Sequence, residues 1–471
     1  MKRNKFLVVL SFLAAFSSCK KVIEIEETDL LAGERALTNV TFVEQAVIGA
    51  YAAVTISNTI LQNAYFSDEV TKAEFYNSAT THEWTYSSGD VTLRDATAIG
   101  PNYTVINRAN VALAALPLAD STKAGDEVKR SRLKGELLFL RAFAHFELFR
   151  YYSGNYDPAG LAMPYMEAST IGNFPRLKMG EYFQKLTADL ATAKPLVVNN
   201  LTDINRANFA AVAGLQARVA LYMRDWENAE KFSTEFINAV PLANRTLFPG
   251  IWTDVNTAEQ AFRIASVRLG SLFRATSAST TNIGTITWKP SEELWSSYDM
   301  VNDIRFSSYF KDEPLLTASG RSSRLIAKYA GTAYGTTNEN LTNAKVFRTG
   351  EMVLIRAEAR AELGRHTGAN SAESDINLLR TNRLANYTNT VYTSKQQAID
   401  DIIQERFKEL AYEGHRFFDL KRRGLPVTRL AVDAPTTAAM VLPANDYRFV
   451  FPIPLAEMTS NPAMEQNPGY Q

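Results

Sequence analysis

Two apolar stripes on a single stretch limit this chain's folding options more than any other feature. Over residues 133–152, Leu137, Leu140, Ala144, Leu148 and Tyr151 recur at helical spacing, and Phe139, Phe143 and Phe146 form a second row. A helix that is apolar on two faces has to be covered on most of its circumference, and Ala142 and Ala144 let neighbours approach closely. The chain must therefore supply partner helices, and its periodicity does so. Residues 206–238 predict a helical hairpin, with Val212, Leu215, Val219 and Tyr222 on the first arm. The break falls at Arg224-Asp225, where Asp225 is a ready N-cap, and Ala229, Phe232 and Phe236 lie on the second arm. Residues 349–383 repeat the plan through Met352, Ile355, Ala359 and Leu363, stop at Gly364, and resume with Ile376 and Leu379. A further helix over 396–413 carries Ile399, Ile402, Phe407 and Leu410 and is expected to end at Gly414.

The pieces Ala217-Arg-Val-Ala-Leu-Tyr222 and Ala357-Glu-Ala-Arg-Ala-Glu-Leu-Gly364, each followed by a short turn and a second helix, resemble tetratricopeptide units set apart by long insertions. Two insertions stand out. Residues 58–104 place Tyr65, Phe66, Phe75, Tyr76, Trp84, Tyr86 and Tyr103 among short polar side chains. Residues 244–347 hold Trp252, Trp288, Trp295, Tyr298 and Tyr309 in a Ser/Thr/Gly-rich context with short β-like pieces. Loops of this length in a compact chain usually carry function.

The N-terminus reads as an export signal. Met1-Lys2-Arg3-Asn4-Lys5 is basic, Phe6 to Phe16 is apolar apart from Ser11, and Ser17 and Ser18 lead to Cys19. An apolar run this short does not span a bilayer core of about 30 Å as a lasting helix. The plain reading is a signal peptide with an incidental cysteine. The sharper one, favoured by the cysteine standing where the run ends, is a lipoprotein signal over 1–18 with Cys19 acylated. The body, 19–471, is then a single tethered domain. Cys19 is the only cysteine, which closes off an intramolecular disulfide and any cysteine-based metal cluster. Fifty basic residues balance fifty acidic ones, so the chain lacks the basic surplus that a general nucleic-acid binder needs.

Catalytic signatures are missing: no GxSxG elbow, P-loop, GxGxxG, HExxH or EF-hand loop occurs. His82, His145, His366 and His415 are scattered with no pair at ligand spacing, so no metal site is expected. A carboxylate pair of the kind glycoside hydrolysis uses needs no proximity in sequence, which leaves an α-helical hydrolase as a minor alternative. The positive feature is the 51 aromatic residues (26 Phe, 20 Tyr and 5 Trp) and their mixing with short polar side chains. Flat rings stack on the C–H faces of sugars while amides, carboxylates and hydroxyls meet the hydroxyl rim. The competing structural reading is that these rings pin long loops to the helical body.

Several blocks converge on one family. They are Tyr103-Thr-Val-Ile-Asn-Arg-Ala-Asn110, Leu140-Arg-Ala-Phe-Ala-His-Phe146, Tyr298-Asp-Met-Val-Asn-Asp-Ile-Arg-Phe306 and Phe347-Arg-Thr-Gly-Glu-Met-Val-Leu-Ile-Arg-Ala-Glu-Ala359. Residues 405–424, Tyr447-Arg-Phe-Val-Phe-Pro-Ile-Pro-Leu-Ala-Glu457 and Asn461-Pro-Ala-Met-Glu-Gln-Asn-Pro-Gly-Tyr470 complete the set. In this order, from the N-terminal cysteine to the tail, they resemble the signature blocks of the SusD/RagB family. The resemblance implies a mainly α fold of tetratricopeptide-like helix pairs under a loop-rich, partly β, ligand-binding region. It also implies an outer-membrane lipoprotein facing the cell exterior, which binds an oligosaccharide (in some members a peptide) and passes it to a SusC-like TonB-dependent transporter. Catalysis, cofactor and nucleic acid are not part of that picture, and a helical-repeat scaffold binding only protein is the rival from another class.

The shared blocks read as architecture. Arg406, Arg416 and Asp419 are candidates for partly buried charge pairs. Phe449, Phe451 and Ile453 alternate along a short stretch that Pro452 and Pro454 restrict to an edge strand, and the Asn467-Pro-Gly turn pins the tail. Ligand contacts are therefore expected from the insertions: Asp68, Tyr76, Trp84 and Tyr86 from the first, Trp252 and Trp288 from the second. Trp295, beside a signature block, is expected in the core.

Overall fold

The computed structural model describes residues 36–76, 80–90, 99–265, 268–332 and 334–470; the signal sequence and Cys19 lie outside them. Helices dominate, as the periodicity predicts. The chain begins with α1 (Val40–Tyr51), α2 (Ser57–Phe66), α3 (Ile99–Ala115), α4 (Asp126–Tyr152) and α5 (Met179–Ala193). It continues with α6 (Phe209–Met223), α7 (Trp226–Ala239), the short α8 (Phe248–Trp252) and α9 (Ile304–Tyr309). The C-terminal helices are α10 (Thr349–Glu362), α11 (Ala372–Thr381), α12 (Lys395–Glu409) and α13 (Arg416–Arg423). Successive helices stack on one another, α1 on α3, α3 on α4, α4 on α5, α6 on α7, α7 on α10, and α10 on both α11 and α12. No helix of the described residues is long and apolar enough to cross a membrane.

α4 is the axis of this stack. Both of its predicted stripes are buried, and its polar residues Glu136, Arg141, His145, Glu147 and Arg150 are buried with them. A charged group taken out of water needs a partner, and these find one: Arg141 pairs with Asp189 at 2.7 Å and Arg150 with Glu147 at 2.5 Å. His145 stays neutral, because burial pushes its pKa down to about 3 against a hydrogen bond to the Met166 backbone. The hairpin turn comes where predicted: Arg224 adopts a left-handed conformation, and the Asp225 carboxylate accepts from the Asn228 amide.

Strands are few and short, and two of the four pairs join segments far apart in sequence. β1 (Val70–Lys72) pairs antiparallel with β3 (Trp288–Pro290), and β2 (Gln260–Ile264) with β6 (Ala344–Arg348). β4 (Phe310–Asp312) pairs with β5 (Arg324–Ile326), and β7 (Val427–Thr428) with β8 (Val441–Leu442). The first of these pairs joins the two insertions. One large apolar cluster runs from α2 to the tail, and a small satellite of Ile283, Ile286, Leu316 and Leu325 sits under the second insertion.

Three expectations are corrected here. Gly414 does not end the 396–413 helix: α12 stops at Glu409, and Gly414, at φ +82°, lies in the turn that launches α13. Phe449–Pro454 is not an edge strand. Two prolines leave it few donors, and those are taken outside any ladder, Phe451 N–H by the Tyr151 carbonyl (2.9 Å) and Ile453 N–H by the Gln466 side chain (2.8 Å). The first insertion begins as helix, so Tyr65 and Phe66 belong to α2. Of the charge-pair candidates, Arg406 and Asp419 meet at 2.8 Å, whereas Arg416 pairs with Asp68 at 2.7 Å. Asn467 pins the tail by donating to the Tyr152 and Phe451 carbonyls, and Trp295 is buried as expected.

Candidate functional site

The second insertion is clamped to α12 by a buried charge network. Arg305 meets Asp303, Glu405 and Glu409; Arg348 meets Glu409 at 2.6 Å and Glu413 at 2.7 Å; Arg383 meets Glu259 at 2.6 Å and Glu409 at 3.0 Å. Burial opposes the Glu405 carboxylate, but Arg305 and Arg380 hold it down at about 2. Lys328 completes the platform, donating to Glu413 (2.8 Å) and to the Ala411 carbonyl (2.6 Å). Burial pushes its ammonium down to about 8, against the attraction of Glu413.

Trp252, at the end of α8, lies over this platform with the Lys328 Nζ 4.1 Å from its ring centroid. Its indole N–H finds no acceptor among the described residues. Above it opens a cleft of about 490 Å³ bordered by Trp252, Thr253, Thr280, Ser307, Lys311, Thr332 and Tyr334. Tyr334 is presented by a tight loop between Gly331 (φ +74°) and Gly335 (φ +68°). A Cβ on Gly331 would stand 2.2 Å from the Asn338 carbonyl oxygen, and one on Gly335 2.5 Å from the Ser279 carbonyl carbon, so only glycine fits either place. Glu339 ties the loop down by accepting from Gly335 N–H (2.9 Å), Ser277 N–H (2.9 Å) and Ser277 Oγ–H (2.7 Å), and by pairing with Arg274 at 2.6 Å. Burial works against the Glu339 charge, but these donors hold its pKa below the ordinary value. Lys311 Nζ lies 4.5 Å from the Tyr334 ring centroid and pairs with Glu313. Burial and the Glu313 charge push the Tyr334 hydroxyl upward, so it remains a neutral donor.

The cleft therefore offers ring surface, five hydroxyl side chains (Thr253, Thr280, Ser307, Ser308 and Thr332) and one ammonium on a base fixed by buried carboxylates. That arrangement is chemically matched to a polyhydroxylated molecule with C–H faces.

Of the residues expected at the site, only Trp252 borders this cleft, and it is itself 2% exposed. The others lie away from it, in contacts within the fold. The Asp68 carboxylate is consumed by Arg416 Nε (2.9 Å) and Nη2 (2.7 Å). Trp84 is buried, donates its indole N–H to the Phe66 carbonyl (3.0 Å), and carries the Arg429 guanidinium 4.1 Å from its ring centroid. Tyr86 is buried and donates to the Arg448 carbonyl. Trp288 stacks on Tyr65 at 5.7 Å, and the half-buried Tyr76 meets its edge at 5.3 Å. The structure thus brings Tyr76 and Trp288 together with His82 and Tyr65 as a packed knot. Trp84 finds the Arg429 cation and Tyr86 the Arg448 carbonyl on a distant segment, which is why these two turn inward. Phe75 is the large exposed ring of the first insertion, 52% exposed beside Arg321.

Tyr334, Lys311 and the hydroxyl residues were missed. The signal for them was there: a tyrosine bracketed by two glycines within a Thr-rich loop is a tight turn that presents a ring.

Comparison with known proteins agrees along most of the length. Residues 285–470 match the profile of the SusD family, and residues 26–221 match a family described as starch-binding and associating with the outer membrane. SusD-like protein P38 of Formosa agariphila is 24% identical over 99% of this chain and 98% of its own. The starch-binding protein SusD of Bacteroides thetaiotaomicron is 34% identical over 28% of this chain and 22% of its own. Among solved structures, surface glycan-binding protein A from Bacteroides fluxus superposes with a TM-score of 0.72 at 21% identity, covering 91% of this chain and 99% of that one.

Proposed function

Because this chain belongs to the SusD/RagB family, we propose that it is a surface lipoprotein that captures glycans in the cleft above Trp252 and delivers them to a SusC-like TonB-dependent transporter. The observation that carries this reading is the cleft itself. Tyr334 supplies ring surface above the buried Trp252, and the threonine and serine hydroxyls with Lys311 supply donors and acceptors around it. The starch-binding name of one relative and the glycan-binding name of one structural neighbour support carbohydrate as the ligand class. Capture for transport requires no bond to be broken, and micromolar to millimolar affinity, about −8 to −4 kcal/mol, is enough. Residues 1–18 are removed on export, Cys19 carries the acyl chains, and the rest acts as one SusD-like domain outside the outer membrane. Cys19→Ala is expected to release the chain from the membrane fraction.

Affinity electrophoresis of the full chain against a panel of α- and β-glucans and other polysaccharides tests the site. Retardation by at least one glycan is expected, and Tyr334→Ala should abolish it with the melting temperature unchanged. Retardation by none, or a Tyr334→Ala protein retarded like wild type, overturns the assignment. Capture of peptides in place of glycans, or release of reducing ends from a glycan, would move the protein to the peptide-capture or hydrolase class.

A further inference from the structure

A second cleft, of about 610 Å³, opens at the C-terminal end of α4 between the loop after that helix, α13 and the C-terminal tail. It shares no lining residue with the cleft above Trp252. Two of its walls are cations. Among the described residues, every buried arginine and lysine but Arg176, Lys421 and Arg429 has a carboxylate in ion-pair contact. Arg429 has its own answer in the Trp84 ring and five backbone carbonyls. The other two both line this cleft.

Lys421 is 8% exposed. Its ammonium donates to the carbonyls of Arg150 (2.7 Å) and Ser153 (2.6 Å), which leaves its third N–H uncommitted. Arg176 is also 8% exposed and donates to the Tyr152, Leu161 and Ala162 carbonyls and to Asn467 Oδ1. Both therefore cap the C-terminal end of α4. A helix end carries about half a negative charge, which does not balance two buried cations, and a buried charge without a counter-ion is strongly disfavoured. Burial, with Arg150 adding to it, pushes Lys421 down to about 7, and burial pushes Arg176 down to about 10 against the pull of Glu465. At the rim, Tyr447 is 45% exposed. Of the acids there, Asp446 is occupied by Arg448 at 2.8 Å, while Asp157 and Glu465 make no ion pair among the described residues.

We propose that this cleft is a second ligand site that takes an acidic saccharide. Its acid group, a carboxylate or a sulfate ester, sits against the free N–H of Lys421, its hydroxyls donate to Asn155, Asp157 and Glu465, and its ring lies by Tyr447. The charge at the floor selects the acid; the carboxylates at the rim, which repel a bare anion, accept from hydroxyls and so require a sugar around it.

Titration calorimetry of the full chain tests the site with a uronic-acid disaccharide, its carboxyl-reduced neutral counterpart, a sulfated monosaccharide, its unsulfated parent, and acetate. At least one acidic sugar is expected to bind at least about tenfold more tightly than its neutral partner, the ratio that one charge-assisted hydrogen bond supports, and acetate should bind more weakly than either. Lys421→Gln keeps two N–H groups for the two carbonyls and should remove that preference, while Tyr334→Ala should leave it intact. Should Lys421→Gln fail to fold, Tyr447→Ala, at an exposed position, decides: affinity for the acidic sugar should fall about fivefold or more, the scale of a lost ring contact. No binding, equal affinity for acidic and neutral sugars, acetate binding as tightly as the sugars, or indifference to the variant that folds overturns the proposal.

Discussion

Glu69 shows how far burial decides chemistry in this protein. It is fully buried, one carboxyl oxygen accepts from the Tyr412 N–H at 3.0 Å, and the other has no partner among the described residues. Burial pushes its pKa up to about 8; the Asp68 charge adds to this, and the Tyr412 N–H, Lys328 and Arg416 oppose it. The native protein thus holds a proton that the unfolded chain releases at ordinary glutamate pH, so this residue's contribution to stability is full in acid and lost as pH rises through 8. Glu69→Gln supplies the neutral form permanently. Its stability relative to wild type should therefore climb between pH 5 and 8.5, by a few kcal/mol at about 1.4 kcal/mol per unit. Urea midpoints at the two ends of that range measure it, and a constant difference would refute the assignment. The same burial defeated the reading of individual rings. That Trp84 and Tyr86 stand among polar residues is visible in the sequence; that the Phe66 and Arg448 carbonyls await them is not, because Arg448 lies hundreds of residues away. The Gly331–Tyr334–Gly335 bracket was local, and for that reason legible.

At the scale of elements, the helices were legible because periodicity is a local property: α10 lies within its announced stretch, the α6–α7 hairpin overruns its stretch by one residue, and α4 covers its stretch but begins earlier, at Asp126. What periodicity leaves out is how the second insertion attaches. That is the work of Glu409 on α12, which receives Arg305, Arg348 and Arg383 from three separate segments. Burial disfavours its charge, yet Arg383, Arg348 and Arg305 hold its pKa far below the ordinary carboxylate range. Removing one member of a buried charge cluster strands the rest, at a cost of about 3–5 kcal/mol. Glu409→Gln should lower stability by that amount, and hydrogen exchange should speed up first at 303–313 and 344–348, where the clamped segments lie. A loss below about 1 kcal/mol, or exchange confined to α12, would mean that the network is not what fastens the loops.

For the whole molecule, the question is whether its two clefts are one functional unit or two. Trp252 beneath the first and Phe449 beside the second belong to the same continuous apolar cluster, so both sites exist only in the folded chain. A ligand that binds only the native state stabilises it by RT ln(1 + [L]/Kd), about 2.7 kcal/mol at a hundred times Kd. Sites with no shared residue and no common network contribute additively to within about 0.3–0.5 kcal/mol. A neutral glycan at the first cleft and an acidic disaccharide at the second should therefore give stabilisations that sum when both are saturating, read from denaturant midpoints. Tyr334→Ala should delete only the first contribution and Lys421→Gln only the second. A joint effect no larger than either alone would mean that the ligands compete for one site. A joint effect well above the sum would mean that the core between α8 and the tail shifts as a unit, and that loading one cleft prepares the other.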